Sequence, residues 1–295
     1  MNKFVLKQSA LLFLAAFIWG TAFVAQSVGM DYVEPFTFLA ARSVVGAGVL
    51  AIYIAIRDRK AEKQSRAESK TLIVGGICCG CLMFVASSLQ QIGIVYTTVG
   101  KSGFLTAMYI VIVPVLGIFL KKKAGMKIWC GVALAVAGLY FLCMTPGSIS
   151  VQKGDILTFF CAIAFSFHIL VIDYFAPKVD AVKMSCIQFV TCAILSGVAM
   201  FIAETPSIEA VSGAWLPILY AGALSSGVAF TLQIIGQRGM NPTVASLIMS
   251  MESVISVIAG WAILHQTLSI RELWGCVFMF VAIILVQLPD REKSV

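Results

Sequence analysis

Glu252 is the residue whose type and place promise most chemistry. It lies ten residues after Pro242 and twelve before Leu264, in the middle of a long apolar run. In hydrocarbon an ionised carboxylate is expensive unless it is paired or wetted. Such a group either exchanges a proton, which makes Glu252 the candidate for coupling protons to movement of another solute, or stays protonated as a structural hydrogen-bonding group between helices. Other polar side chains also lie inside apolar runs: Trp19 mid-run, Arg42 about two turns below the outer surface, Gln90 near the outer face and Gln233 near the cytoplasmic face, Tyr109 mid-run, and His168 somewhat below the midplane. Intramembrane polar groups are costly and face the interior of a bundle.

Each of these has two readings. Gln90 and Gln233 suit either two gates or interhelical hydrogen bonding. His168 can relay protons or bind an anion, or sit neutral against a carbonyl. Arg42 can snorkel to an interface or pin its helix to a neighbour, and the structural role is the favoured one. Trp19, followed by Gly20 and Thr21, is too deep for an interfacial belt and either lines a pocket or packs. Asp173 is expected at the interface. Pro114 frees a carbonyl and is a candidate hinge.

The elements that position these residues are long and apolar. The 295 residues are 60% hydrophobic and 12% charged, with mean hydropathy +0.98. Soluble domains average roughly 25% charged residues, so the natural solvent is a bilayer. Ten spans are expected, at 9–28, 36–56, 71–95, 102–120, 126–144, 154–174, 181–203, 213–236, 242–264 and 270–288. Each is long enough as a helix to cross about 30 Å of hydrocarbon. The apolar runs are continuous, which excludes a β-barrel pattern. The expected fold is all-α: an integral membrane protein of ten transmembrane helices. The first run continues to Val28 without a cleavage site, so it reads as a span, not a removed signal.

Net charge is +7, and its placement explains it. Lys and Arg number two before span 1, six after span 2, four after span 4, two after span 6, one after span 8 and two after span 10. The opposite side holds only Lys101, Lys153 and Arg271, and Arg42 is inside span 2. The positive-inside rule places both termini in the cytoplasm. The basic excess is topological, and nucleic acid is not an expected partner. The nine cysteines all fall within spans and read as small apolar fillers. The cluster of Cys78, Cys79 and Cys81 has no His or carboxylate nearby, so no metal is expected. No P-loop is present, so ATP hydrolysis is not encoded in the chain. No cofactor and no catalytic residue are expected.

Sliding the chain on itself by 143–146 positions brings related residues into register. Ser88, Leu89, Gln90, Gln91, Ile92 and Gly93 meet Thr231, Leu232, Gln233, Ile234, Ile235 and Gly236. Gly117 falls near Gly260 and Trp129 near Trp274. Tyr109 pairs with Glu252, and Arg42 with Gln188. The drift of a few positions is attributed to loops. Two repeats of five spans follow, 7–145 and 150–290. Because five is odd, the second enters the membrane inverted, an architecture that supports two mirror-related conformations around one site. Gly76, Ile77, Cys78, Cys79 and Gly80 form a GxxxG pattern, expected to mark a close helix contact within the monomer or between subunits.

These residues resemble a known family. Ile18, Trp19 and Gly20 in span 1, Arg42 in span 2, the stretch from Gly100 to Thr106 opening span 4, and Leu247, Met251 and Glu252 in span 9 are similar to the EamA-type branch of the drug/metabolite transporter superfamily. The resemblance runs from about Lys7 to Leu288. It implies movement of amino acids and related metabolites across a bacterial inner membrane, mostly outward, through a cavity lined by spans 1, 3, 4, 6, 8 and 9. One departure stands out. Family repeats often end the fourth helix with Leu-Gly-Glu; here Leu120 is followed by three lysines and Leu264 by His265 and Gln266. Glu252 is left as the one carboxylate deep in the bilayer.

The expected function is therefore a secondary transporter of small metabolites such as amino acids, exporting by alternating access. Trp19, Gln90, Tyr109, His168, Gln233 and Glu252 are expected to line the path. A monomer or weak homodimer in the lipid bilayer is expected. The alternative is a membrane-embedded enzyme or lipid-handling protein that uses His168 and Glu252 chemically.

Overall fold

A computed structural model describes residues 3–60, 66–96, 99–121, 125–143, 152–264 and 269–287. The first half holds α1 (Lys3–Gly29), α2 (Pro35–Arg57), α3 (Arg66–Val95), α4 (Val99–Ala107), α5 (Tyr109–Phe119) and α6 (Met126–Cys143). The second holds α7 (Lys153–Phe175), α8 (Ala181–Ala203), α9 (Ile208–Gly213), α10 (Trp215–Leu219), a π-helical segment (Tyr220–Ala229), α11 (Phe230–Gln237), α12 (Pro242–Met249), α13 (Met251–Leu264) and α14 (Ile270–Gln287). By length and composition, eight stretches among the described residues are candidate membrane spans: α1, α2, α3, α4–α5, α7, α8, α10–α11 and α12–α13. The apolar part of α6 is shorter. Large side chains such as Phe17, Ile52, Phe201, Ile202 and Ile284 are exposed, which suits lipid and not water.

The helix starts are chemically encoded. Pro35 and Pro242 occupy first-turn positions, where a missing N–H costs nothing. Asn241 caps α12 by accepting from the Thr243 N–H at 2.9 Å, and Asp180 caps α8 by accepting from the Lys183 N–H at 2.9 Å.

Packing repeats when the halves are exchanged. α2 packs on α8, and α6 on α14. α3 packs on α7 and α8, while the π segment and α11 pack on α1 and, for the π segment, α2. α4 and α5 pack on α7, while α12 and α13 pack on α1. Glycines set these approaches. A Cβ on Gly80 would stand 2.5 Å from Thr191 Cβ and 2.7 Å from the Gln188 carbonyl, and one on Gly222 would stand 2.5 Å from Val45 Cβ and 2.9 Å from the Arg42 carbonyl. Thr191 and Val45 are 146 positions apart, as are Gln188 and Arg42. The GxxxG glycines thus serve a contact inside the chain, with α8.

The second half carries one inserted residue here. Gly80 to Gln90 is ten positions; Gly222 to Gln233 is eleven. The π segment, Tyr220–Ala229, contains Gly222 and runs toward Gln233, and it absorbs the extra residue by widening the helix. Loops therefore do not carry all the drift in register.

The α2–α8 pair is clasped at both ends by repeat-related acids. At one end Lys183 Nζ lies 2.7 Å from Asp58, and Arg57 bridges Asp58 at 2.7 Å and Asp180 at 3.1 Å. At the other, Glu204 accepts from the Phe36 and Thr37 N–H groups and the Thr37 hydroxyl, each at 2.7 Å. Thr205 N–H donates to Glu34 at 3.3 Å. Glu34 and Asp180, Thr37 and Lys183, and Asp58 and Glu204 are each 146 positions apart.

Candidate functional site

The fourth span of each half breaks where the sequence suggested a continuous helix. α4 ends and α5 begins at Met108; α12 ends and α13 begins at Ser250. Pro114 is not the common cause. It lies inside α5, six residues past Met108, and no proline lies near Ser250. Ser246 and Ser250 bond back to the Thr243 and Leu247 carbonyls at 2.9 and 2.7 Å, which bends helices. The breaks bring Tyr109 and Glu252 to the first turns of α5 and α13. There the Tyr109 hydroxyl donates to Glu252 Oε1 at 3.0 Å.

A cleft opens beside this pair. Its walls are built from equivalent positions of the two halves. Trp19 and Phe165, and Phe23 and Ile169, come from α1 and α7, 146 positions apart. Ser87 and Phe230, and Gln90 and Gln233, come from α3 and α11, 143 apart. Thr106 and Met249, and Tyr109 and Glu252, come from the broken spans, also 143 apart. The remaining lining residues are Gln26, Arg42 and Ser225.

The walls mix apolar bulk with spare polar atoms. Trp19 stacks at a tilt on Phe230, ring centroids 4.6 Å apart. Trp19 Nε1 and Gln233 Oε1 are buried without a hydrogen-bond partner. Gln90 Nε2 donates to Thr106 Oγ1 at 3.2 Å. Outside the lining, Thr21 and Tyr220 share a hydroxyl–hydroxyl bond of 2.5 Å that ties α1 to the π segment.

Five of the residues singled out from sequence, Trp19, Gln90, Tyr109, Gln233 and Glu252, line this one cleft. His168 is not among its lining residues. It is fully buried, with Nε2 2.9 Å from Gln188 Oε1, and its ring packs edge-on to Phe165 and Phe230 at 6.3 and 6.1 Å. Arg42, expected to be structural, does line the cleft. It donates through Nη1 to Gln26 Oε1 at 3.3 Å. Its counterpart Gln188 is thus the partner of His168, so in each half this position of the second helix reaches back to the first. The signal for Arg42 was present in its type, since a cation at that depth needs a reason; what sequence lacked was the helix rotation. The cysteine cluster divides, with Cys79 buried and Cys78 and Cys81 exposed. His265, Gln266, Lys122 and Lys123 lie outside the described residues.

An all-helical, multi-pass membrane protein with a central cleft shared by two equivalent halves is the class these observations define. The chain belongs to the EamA-like transporter family, whose profile matches it twice, over residues 7–144 and 152–288. It is similar to a protein of Archaeoglobus fulgidus described as an uncharacterized transporter, 27% identical over 94% of this chain and 84% of that protein. It is also similar to the uncharacterized transporter YoaV of Bacillus subtilis, 23% identical over 91% and 92%. A solved crystal structure superposes with a TM-score of 0.80 at 18% identity, covering 96% of this chain and 98% of that one, and shares the fold.

Proposed function

We propose that this membrane transporter moves small amphipathic metabolites, amino acids among them, out of a bacterial cell across the inner membrane by alternating access. Ten spans, both termini in the cytoplasm, and two inverted repeats at 7–145 and 150–290 belong to this reading. One observation carries it: six pairs of equivalent residues from the two halves form one cleft. A cleft built on paired positions can open to either side through two related arrangements of similar energy. Glu252 is the proton carrier in this reading, and the aromatic walls hold the apolar body of the substrate. The chain acts as a monomer or weak homodimer.

The enzyme reading needs His168 and Glu252 in one place. Glu252 faces the cleft, whereas His168 is bonded to Gln188 and does not line it, which favours transport.

The test uses purified protein in liposomes loaded with a mixture of radiolabelled amino acids. Efflux that accelerates under an imposed pH gradient supports the proposal. Turnover of a lipid or solute in detergent, without two compartments, favours the enzyme. Efflux indifferent to the gradient leaves facilitated diffusion.

A further inference from the structure

We propose that Arg42 is the recognition group for a carboxylate on the transported molecule, and that this molecule carries a single negative charge beside an apolar body. The inference rests on the transporter reading and adds the chemical class of its substrate.

The cleft is symmetric except at one pole. Most lining residues have their equivalents across the cleft. Gln26, Arg42 and Ser225 do not: the positions 146 after the first two are Ile172 and Gln188, neither of which lines it, and Ser225 lies on the π segment that packs on α2 beside Arg42. The cleft therefore extends past its symmetric centre toward the C-terminal part of α1, and there it meets a guanidinium. Span 2 was not expected to contribute to the cavity.

That guanidinium is short of partners. Arg42 is 5% exposed, and among the described residues no carboxylate pairs with it. Nη1 donates to the neutral Gln26 Oε1, and Nε has no hydrogen-bond partner. A buried cation is costly unless it is paired and hydrogen-bonded. Guanidinium presents a planar fork that matches a carboxylate through two parallel bonds. Holding Nη1 on Gln26 fixes that fork before a ligand arrives.

Charge selects a monoanion. Arg42 is the one cation among the lining residues and Glu252 the one acid. A phosphate dianion would bring two negative charges to one positive and face Glu252 as well. A carboxylate neutralises Arg42 alone. Geometry places the apolar body. A Cβ on Gly20 would lie 2.7 Å from the Glu252 carbonyl, so Glu252 sits at the level of Gly20, while Arg42 is held at Gln26. Six residues of helix separate those levels by about 9 Å. Trp19 and Phe23 occupy the same face of α1 across that interval and supply an aromatic wall.

The test is binding in detergent, measured by calorimetric titration of the full chain. The probes are two acid and amide pairs, L-phenylalanine with L-phenylalaninamide and 3-phenylpropionate with 3-phenylpropanamide, plus phenyl phosphate. At least one acid should bind tenfold or more tighter than its amide. Arg42→Gln should bring that ratio within about twofold, and Arg42→Lys should leave an intermediate value, keeping charge without the fork. The proposal is overturned if amides bind as tightly as acids, if no acid binds, if phenyl phosphate binds tighter than both acids, or if Arg42→Gln preserves the ratio. Should Arg42→Gln fail to fold, the wild-type ratio still decides. Binding needs no second compartment, so an intact acid preference with no flux in liposomes refutes transport and leaves Arg42 assigned. Flux with no acid preference does the reverse.

Discussion

Tyr109 and Glu252 stand 143 positions apart at equivalent places in the two halves, and the hydroxyl of one donates to the carboxyl of the other at 3.0 Å. Each lies in the first turn of the helix that follows a break in its span. The repeat has thus evolved two different residues at one symmetric point, and they have become partners. An acid next to a neutral donor can hold or release a proton without a fixed counter-charge.

If Glu252 carries the proton, Glu252→Gln should keep the fold and lose the response of efflux to an imposed pH gradient. Tyr109→Phe removes a hydrogen bond to a carboxyl, about 1.5–3 kcal/mol if that carboxyl is ionised. It should slow gradient-driven efflux by about tenfold or more while counterflow at equal pH changes less. Liposome flux with and without the gradient checks both. An undiminished gradient response in Glu252→Gln would remove the proton role.

Gly20 is the place where α1 approaches α13. An added Cβ would lie 2.6 Å from Ile255 Cβ and 2.7 Å from the Glu252 carbonyl. Gly20→Ala should destabilise by about 1–3 kcal/mol through overpacking. Gly48→Ala has nothing within 4 Å and should stabilise by about 0.5–1 kcal/mol through helix propensity. Opposite shifts in Tm in one detergent are the expected result.

The charged clasp gives a pH signature. Its hydrogen bonds to Arg57 and Lys183 hold the Asp58 carboxyl down to about 2. A depressed acid contributes stability above its unfolded pKa and loses it as pH falls through the folded value. The Tm gap between wild type and Asp58→Asn should be steady near neutrality, close between about pH 4 and pH 2, and shrink in high salt because the pair is near the surface. A gap that widens on acidification would contradict the clasp.

The π segment predicts unequal tolerance to deletion. Removing Leu224 from it should relax the turn to α-helix and keep Gln233 facing the cleft. Removing Phe84 from α3 should rotate Gln90 about 100° away from it. Folded yield by size-exclusion chromatography should survive the first deletion and fall several-fold with the second.

The helical class and the two equivalent halves were legible in the chain, because hydropathy and repeat spacing are properties of order along it. Repeat spacing also paired Tyr109 with Glu252 and Gln90 with Gln233 before any contact was visible. Only the tertiary structure decided which polar groups share a cleft, since that depends on how each helix is rotated about its axis. Rotation turned His168 toward Gln188 and out of the lining, and turned Arg42 into it. Uniform apolarity around each helix hides that angle: when lipid and protein neighbours are both apolar, no one-dimensional pattern marks the inward face. Close glycine contacts, one extra residue in a π turn and two breaks at Met108 and Ser250 set the rotation instead.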